Sequence, residues 1–395
     1  MKTKLTIAAF AVMLLLFAVF IALPADEGSV LSENRNPAVM PQLNIKTLFD
    51  GDFCRNFEDY LSDNVGLRGK FIAASNKING LKGLKNYGYI KGANADLGTG
   101  ETDLKKGLLV ADEKIMEIFK SNSVSREKYT QLINYYAEKL PENIRLYCMI
   151  IPTQIEFQPK KYSSLSDSQK ETIDEIYLNA DAKIYCVDAY SALKAHKDEY
   201  VYFRTDHHWT TLGAYYAYGE FAKKAGVSSA DISGYTENSL KGFLGYLYNQ
   251  AQATELMNKP DTIYYYTKGD NPEVEARAWE NGSVLNYKTK LFVVPGAGDE
   301  VKYSVFLGGD HPLLKINTDI KNNRNILVIK DSYANAFIPW LCSGFETVVA
   351  VDPRSFKGKL DEVLLEYKIT DVLLMNYTFT TTFDDIIELE KDIYK

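Results

Sequence analysis

Two short stretches of the sequence carry residues whose type and spacing could do chemistry. The first is Arg204-Thr205-Asp206-His207-His208-Trp209, which holds two of the chain's four histidines. In an extended segment, residues two apart share a side, so Asp206 lies beside His208 while His207 faces away. A carboxylate beside an imidazole fixes its tautomer and stabilises the imidazolium formed when the ring accepts a proton. That is the support a general base needs. The same residues also fit a capped helix start, with Asp206 on backbone amides and the histidines packing, and spacing alone leaves both readings open. The second stretch is Asn325-Ile326-Leu327-Val328-Ile329-Lys330-Asp331-Ser332-Tyr333-Ala334-Asn335, an apolar run that ends in a polar turn. A strand turning sharply into a helix exposes Ser332 at the carboxyl edge of a parallel sheet, and the first helical amides point where an oxyanion would form. Ser332 or Asp331 as a plain N-cap is the competing reading. Taken together, the stretches point to serine acyl-ester chemistry, with Ser332 as nucleophile, His208 as base and Asp206 orienting that base.

Metal binding by Asp206, His207, His208 and His311 is the other chemistry open to these residue types. No His-x-His, His-x3-His or cysteine pair supplies further ligands, so neither a metal nor another cofactor is expected. The turn Gly308-Gly309-Asp310-His311-Pro312 could bring His311 to the site, and it is as easily a surface turn.

The elements that must hold these residues alternate. A helix capped by Ser123 or Ser125, with Tyr129, Leu132, Ile133, Tyr136 and Leu140 on one face, precedes a buried strand at Ile144–Ile151. Ser168-x-x-Glu171 is a capping box for the next helix, and Lys183–Val187 is the next apolar run. Leu212–Ala225 reads as a helix closed by Gly226. After Asn325–Lys330 come a helix at Ala334–Leu341, a strand at Thr347–Val351, a helix at Lys359–Tyr367, a strand at Asp371–Met375 and a helix at Phe383–Tyr394. Strands alternating with helices imply an α/β fold, a parallel sheet with helices on both faces. Residues 228–310 interrupt the rhythm with strand-like runs at Thr262–Thr267, Ser283–Tyr287, Leu291–Val294 and Val301–Leu307, and read as a β-rich insertion.

The chain has 395 residues, 46% hydrophobic and 25% charged, so neither general disorder nor a polytopic membrane protein is indicated. A net charge of −7, with no basic cluster beyond pairs such as Lys223-Lys224, argues against nucleic acid as a partner. The 28 tyrosines are either packing groups or platforms for sugar rings. Lys2 and Lys4 precede an uncharged apolar run from Leu5 to Ala25, long enough to span a bilayer and poorly ended for signal cleavage. Residues 1–25 are therefore expected to be a membrane anchor or signal segment and 26–50 a linker. Residues 51–395 form the domain, placed outside the cytoplasmic membrane by the positive-inside rule. Cys54, Cys148, Cys186 and Cys342 match no metal motif, and their pairing is not readable.

Thr205-Asp206-His207-His208-Trp209, followed by Lys330-Asp331-Ser332-Tyr333, resembles the DHHW family of bacterial proteins, relatives of the SGNH-hydrolase-like domains of the alginate O-acetyltransferases. Phe57-Glu58-Asp59-Tyr60 with Leu67-Arg68-Gly69-Lys70, the strand ending Ile151-Pro152-Thr153, and Gly308-Gly309 extend the likeness over most of residues 50–380. The resemblance implies Asp206, His208 and Ser332 as a triad, in an order permuted from ordinary SGNH hydrolases, and Lys330 stands where those carry the glycine of Gly-Asp-Ser. It also implies Asn376 as an oxyanion-hole residue, although no Gly-x-Asn-Asp surrounds it. His207, Trp209, Tyr333 and Arg204 are the further candidates for oxyanion or substrate contact. The implied reaction is O-acetylation of a cell-surface or cell-wall polysaccharide through an acyl-serine, with the acyl group handed across the membrane by a multipass acyltransferase. By residues alone, an esterase with the same triad or a non-catalytic glycan-binding scaffold remains open.

Overall fold

The structure, a computed structural model, describes residues 40–41, 52–64, 90–91, 107–251, 253, 256–280, 283–296 and 302–394. The anchor expected at residues 1–25 lies outside them, as does nearly all of the linker. Among the described residues no helix is long and apolar enough to cross a membrane.

Helix α1 (Asp52–Asn64) comes first. Strands β1 (Ile90–Lys91), β2 (Leu108–Ala111) and β3 (Lys114–Glu117) form a small sheet. Next come α2 (Ser123–Lys139) and β4 (Arg145–Ile151), then α3 (Lys160–Ser163) and α4 (Gln169–Leu178), then β5 (Ile184–Cys186) and α5 (Ala189–Ala195). The cap of α2 is Asn122, whose side chain takes the amides of Val124 and Ser125, rather than Ser123 or Ser125 themselves. Ser168 caps α4 as expected, accepting from the Glu171 amide at 3.1 Å. Helix α6 (Thr211–Ala225) ends on Gly226, left-handed at φ 66°.

The later part of the chain supplies β6 (Thr236–Phe243), α7 (Tyr246–Ala251), β7 (Asp261–Thr267), β8 (Glu273–Glu280), β9 (Ser283–Lys290), β10 (Leu313–Asn317) and β11 (Asn325–Lys330). It closes with α8 (Ile338–Leu341), β12 (Thr347–Val351), α9 (Leu360–Glu366), β13 (Asp371–Tyr377) and α10 (Asp384–Asp392). The central sheet has eight strands in the order β5-β4-β13-β11-β12-β10-β8-β9. The first five are parallel.

Side-chain alternation places helices on both faces of that sheet. From β4, Tyr147, Met149 and Ile151 join a core with α5 and α6 residues such as Leu193, Ala217 and Phe221. Leu146, Cys148 and Ile150 face the opposite core, with Tyr129 and Ile133 of α2 and Ile176 of α4.

The sheet is not wholly parallel, and residues 228–310 are not simply an insertion. Strands β10, β8 and β9 continue the sheet antiparallel beyond β12, while β6 and β7 pair as a separate ribbon. Glu273-Val274-Glu275-Ala276 alternates polar with buried apolar residues, the period-2 signature of a half-buried strand. Among the described residues, the strands expected at Leu291–Val294 and Val301–Leu307 reduce to one bridge between Phe292 and Phe306. Lys302–Val305 is instead a 3-10 turn, a geometry that brings residues three apart to one side, and the Tyr303 and Phe306 rings sit 5.2 Å apart. The helix expected at Ala334–Leu341 is split into a 3-10 turn at Ser332–Ala336 and α8. Pro339, in the first turn of α8, has no amide hydrogen to continue a single helix.

Candidate active site

The 203–208 segment is a tight loop rather than an extended strand. Its stem is closed by the Tyr202–Trp209 bridge, by Thr210 N donating to Val201 O at 2.9 Å, and by Phe203 N donating to His208 O at 3.3 Å. Asp261, fully buried at the start of β7, gathers the loop from the far side. It accepts from the amides of Arg204 and Thr205, from Thr205 Oγ1 at 2.6 Å, from Arg204 Nε at 3.1 Å and from the Tyr200 hydroxyl at 2.6 Å. A buried carboxylate that takes this many donors fixes the backbone around it.

The loop delivers Asp206 into a space shaped by Gly245. A Cβ on Gly245 would fall 2.3 Å from Asp206 Cβ and 2.4 Å from Oδ2. The Tyr246 amide then donates to Oδ2 at 2.7 Å, while Oδ1 accepts from the His208 amide at 3.0 Å and from His208 Nδ1 at 2.6 Å. Burial alone would push the Asp206 carboxyl up. The charges of His208 and His207 and the two hydrogen bonds from His208 outweigh this and hold it well below the usual carboxylate range. An ionised Asp206 makes Nδ1 the protonated ring nitrogen and leaves Nε2 of His208 as an acceptor.

Ser332 meets that acceptor from the other motif. Strand β11 ends at Lys330, and Asp331 caps the following turn, its Oδ1 taking the Tyr333 amide at 2.9 Å and its Oδ2 the Tyr377 amide at 2.9 Å. With Asp331 as the cap, the Ser332 hydroxyl is free to point at His208, and Oγ lies 2.8 Å from Nε2. The cap also spends the Tyr333 amide, so that amide does not serve the oxyanion role expected of the helix's first N–H groups.

The two motifs are also tied directly. Trp209 Nε1 donates to Tyr333 O at 2.8 Å, and the Tyr333 hydroxyl donates to His207 O. The Tyr303 ring stacks on His208 at 4.0 Å and 12°, and its hydroxyl donates to Ser332 O at 3.3 Å. His207 lies 3.8 Å from His208 ring to ring. Two rings at such distances cannot share one face, so His208 is held between Tyr303 and His207.

Beneath the turn, Lys330 is fully buried and donates to Asp310 Oδ1 at 2.7 Å and Asn335 Oδ1 at 2.8 Å. Arg354 bridges Asp310, at 2.8 Å, to Asp352. Against the effect of burial, Lys330 and Arg354 hold the Asp310 carboxyl well below its ordinary range. The lysine that stands where SGNH hydrolases carry glycine therefore clamps the Gly308–Asp310 turn to the nucleophile strand.

The structure thus brings Asp206, His208 and Ser332 together and sorts the remaining candidates. Asn376 is on the opposite face of the sheet, accepting from the Tyr129 hydroxyl at 2.8 Å and donating to Glu390 Oε1 at 2.7 Å. It follows Met375, which faces the triad side, so strand alternation turns it away. Arg204 spends its guanidinium on Asp261 and Pro260 O. Trp209 and Tyr333 are fully buried struts. His207 does not face away from His208, because the loop curls instead of extending. His311 is committed to Leu307 O at 2.9 Å and the Tyr287 hydroxyl at 2.7 Å. Donor atoms of Asp206, His207 and His208 lie within 4.8 Å of one another. Asp206 and His208 spend theirs on each other, an arrangement suited to moving a proton rather than holding an ion. Sequence reasoning missed Asp261, Gly245 and Tyr303. Only the period-2 pattern of Asp261–Thr267 hints at the first, and their contacts to the motif are all long-range.

The sequence pattern of the DHHW protein family matches residues 88–351. A solved DHHW family protein from Eubacterium siraeum is 29% identical, with a TM-score of 0.65 over 72% of this chain and 94% of that one. PatB1 of Bacillus cereus, solved with a sulfonyl adduct, is 20% identical, with a TM-score of 0.60 over 71% of this chain and 97% of that one. The O-acetyltransferase domain of AlgJ from Pseudomonas putida is 13% identical, with a TM-score of 0.41 over 72% of this chain and 99% of that one. No protein of curated function matches the sequence.

Proposed function

Because this chain belongs to the DHHW family, we propose that it is an acyltransferase that moves an acetyl group onto a glycan hydroxyl through an acyl-Ser332 intermediate. The observation that carries the reading is the continuous relay Asp206 Oδ1, His208 Nδ1, His208 Nε2, Ser332 Oγ, with links of 2.6 and 2.8 Å. His208 Nε2 takes the Ser332 proton as Oγ attacks the donor's carbonyl carbon, and Asp206 stabilises the imidazolium. The proton then passes to the leaving group as its bond to the carbonyl breaks. In the second half, an acceptor hydroxyl attacks the acyl-serine carbonyl and gives its proton to His208. The bond to Ser332 Oγ breaks, and Oγ recovers the proton.

The acceptor is assigned by the resemblance of both motifs to the alginate O-acetyltransferases, and with it comes a multipass membrane acyltransferase as donor. Work outside the cytoplasmic membrane, on a single N-terminal anchor, rests on the apolar run from Leu5 to Ala25.

The purified domain should hydrolyse p-nitrophenyl acetate and take one sulfonyl group from phenylmethylsulfonyl fluoride on Ser332. Ser332→Ala should lower ester turnover by about 10³-fold or more, the usual scale for loss of a serine nucleophile. Turnover unchanged in that variant, or sulfonylation at another residue, would sink the assignment.

A further inference from the structure

Hydrogen bonds fix the two ends of the His208 ring, and a tyrosine covers one of its faces. Tyr303 lies over the imidazole with 4.0 Å between ring centres and only 12° from parallel, so it presents its π face, not its edge, to the base. That contact does not have to hold the tyrosine in place. Tyr303 belongs to the 3-10 turn Lys302–Val305, and Lys302 Nζ at the head of the turn donates to Lys241 O at 3.0 Å and to Gly242 O at 2.7 Å, both on β6. Asp310, further along the same segment, is held by Lys330 at 2.7 Å. Phe306, at 5.2 Å and 66°, and Phe203, at 6.3 Å and 88°, pack across the tyrosine ring.

An aromatic face is the negative part of the ring's quadrupole and attracts a cation within about 6 Å of its centre, most strongly where water is excluded. His208 is buried, and accepting the Ser332 proton turns its ring into a cation. The attraction therefore grows at the step where the charge appears, which lowers a barrier rather than merely packing a side chain. The other groups around the ring do not supply this contact. Asp206 binds Nδ1, Ser332 faces Nε2, and the Tyr333 ring lies 5.2 Å away, tilted by 46°. His207 covers the second face at 3.8 Å. Burial and the His208 charge push the His207 ring toward its neutral form, with Asp206, Glu117 and Asp331 opposing.

Resting on the acyl-serine reading above, we propose that the π face of Tyr303 stabilises the imidazolium that His208 becomes as Ser332 attacks. Tyr303 acts through His208 alone. No bond forms or breaks at the tyrosine, and the proton still passes from Ser332 Oγ to His208 Nε2 and on to the leaving group.

Ring charge and ring shape are separated by comparing Tyr303→Phe with a trifluorinated phenylalanine at the same position, since fluorine withdraws charge from the face while the ring fills nearly the same space. Tyr303→Phe loses the 3.3 Å hydrogen bond to Ser332 O and should keep kcat/KM for p-nitrophenyl acetate within about threefold of the parent. The fluorinated ring should lower it by a further factor of about five or more, the scale of a buried cation–π contact. A second readout does not depend on turnover. In the Ser332→Ala background, the NMR titration of the His208 ring should move to lower pH by about half a unit or more on fluorination, because a weaker face holds the charged form less well. Equal rates and equal titrations for the two rings would show that Tyr303 only packs and would overturn the proposal. A loss in Tyr303→Phe as large as that of the fluorinated ring would place the effect in the hydroxyl and overturn it too. A His208 titration that follows the ring, in a protein that cleaves no ester and takes no sulfonyl group, would leave the contact with the imidazolium standing and overturn the acyl-serine reading.

Discussion

His208 is aligned by contacts on every side. Asp206 and Ser332 define the two ends of its ring, and Tyr303 and His207 define its faces. Such an imidazole keeps one tautomer and one orientation, which is what lets a weak nucleophile be activated at all. The most sensitive point in this arrangement is a glycine. Replacing Gly245 with alanine would place a methyl carbon 2.4 Å from Asp206 Oδ2, inside any allowed contact, with the clash falling on a buried carboxylate that cannot swing away. Gly245→Ala should lower ester turnover by about 10²-fold or more, the scale on which a misplacement of about 1 Å acts, while far-ultraviolet circular dichroism still reports a folded sheet. Turnover within twofold of the parent would show that Asp206 tolerates displacement and that its contact with His208 is not what aligns the base. Asp206 and His208 were legible because their relation is local, two residues apart. Ser332 was legible because an apolar run stops one turn before it. Gly245, Asp261 and Tyr303 act only through the fold: their contacts reach residues 29, 40 and 56 positions away in the motifs they serve, and no short pattern encodes such a distance.

Among elements, α10 shows how the opposite face of the sheet is held and why Asn376 is not part of the site. Glu390, fully buried on α10, receives Asn376 Nδ2 at 2.7 Å, and its backbone carbonyl receives the Tyr136 hydroxyl of α2 at 2.6 Å. Burial pushes its carboxyl up to about 8, against the hydrogen bond from Asn376. A carboxyl raised in the folded state is a neutral acid there and ionises first in the unfolded chain, near about 4.3. Its contribution is therefore fully present below that value and is lost as pH rises toward 8. Chemical denaturation should show the protein losing on the order of a few kcal/mol between pH 5 and pH 8, and Glu390→Gln should flatten that slope. An unchanged slope in the variant would mean that Glu390 is not the titrating group. Asn376 looked like an oxyanion residue just past the strand expected at Asp371–Met375, but it lies within β13, and the sequence does not mark which face a strand's last residues take. One residue of register decides between the triad and α10. The same weakness hid β8 and β10, whose short alternating runs sit among loops.

For the whole molecule, the alternating pattern in the C-terminal third read correctly as a parallel sheet because long buried strands such as Asn325–Lys330 and Asp371–Tyr377 announce themselves as apolar runs. The antiparallel continuation through β10, β8 and β9 was not readable, since no local feature states which strand a hairpin will join. Strand order carries a further result. Strand β13, the last in chain order among the described residues, lies between β4 and β11 as the middle of the five parallel strands. Ending the chain after Lys368 should leave β4 and β11 with facing unpaired edges, and the shortened protein should collect in the insoluble fraction. Soluble, ester-cleaving protein from that truncation would show that β13 is dispensable.

The placement of β13 also sets a timetable. Strands β4 and β11 can find their common neighbour only after residue 377 has been synthesised, so the sheet cannot close before then. Closure by a late-arriving strand is slow, because the contacts it makes span more than 200 residues of sequence. Until β13 emerges, the sheet between β4 and β11 stays open. Meanwhile the open edge of β4 is exposed to pairing with other chains.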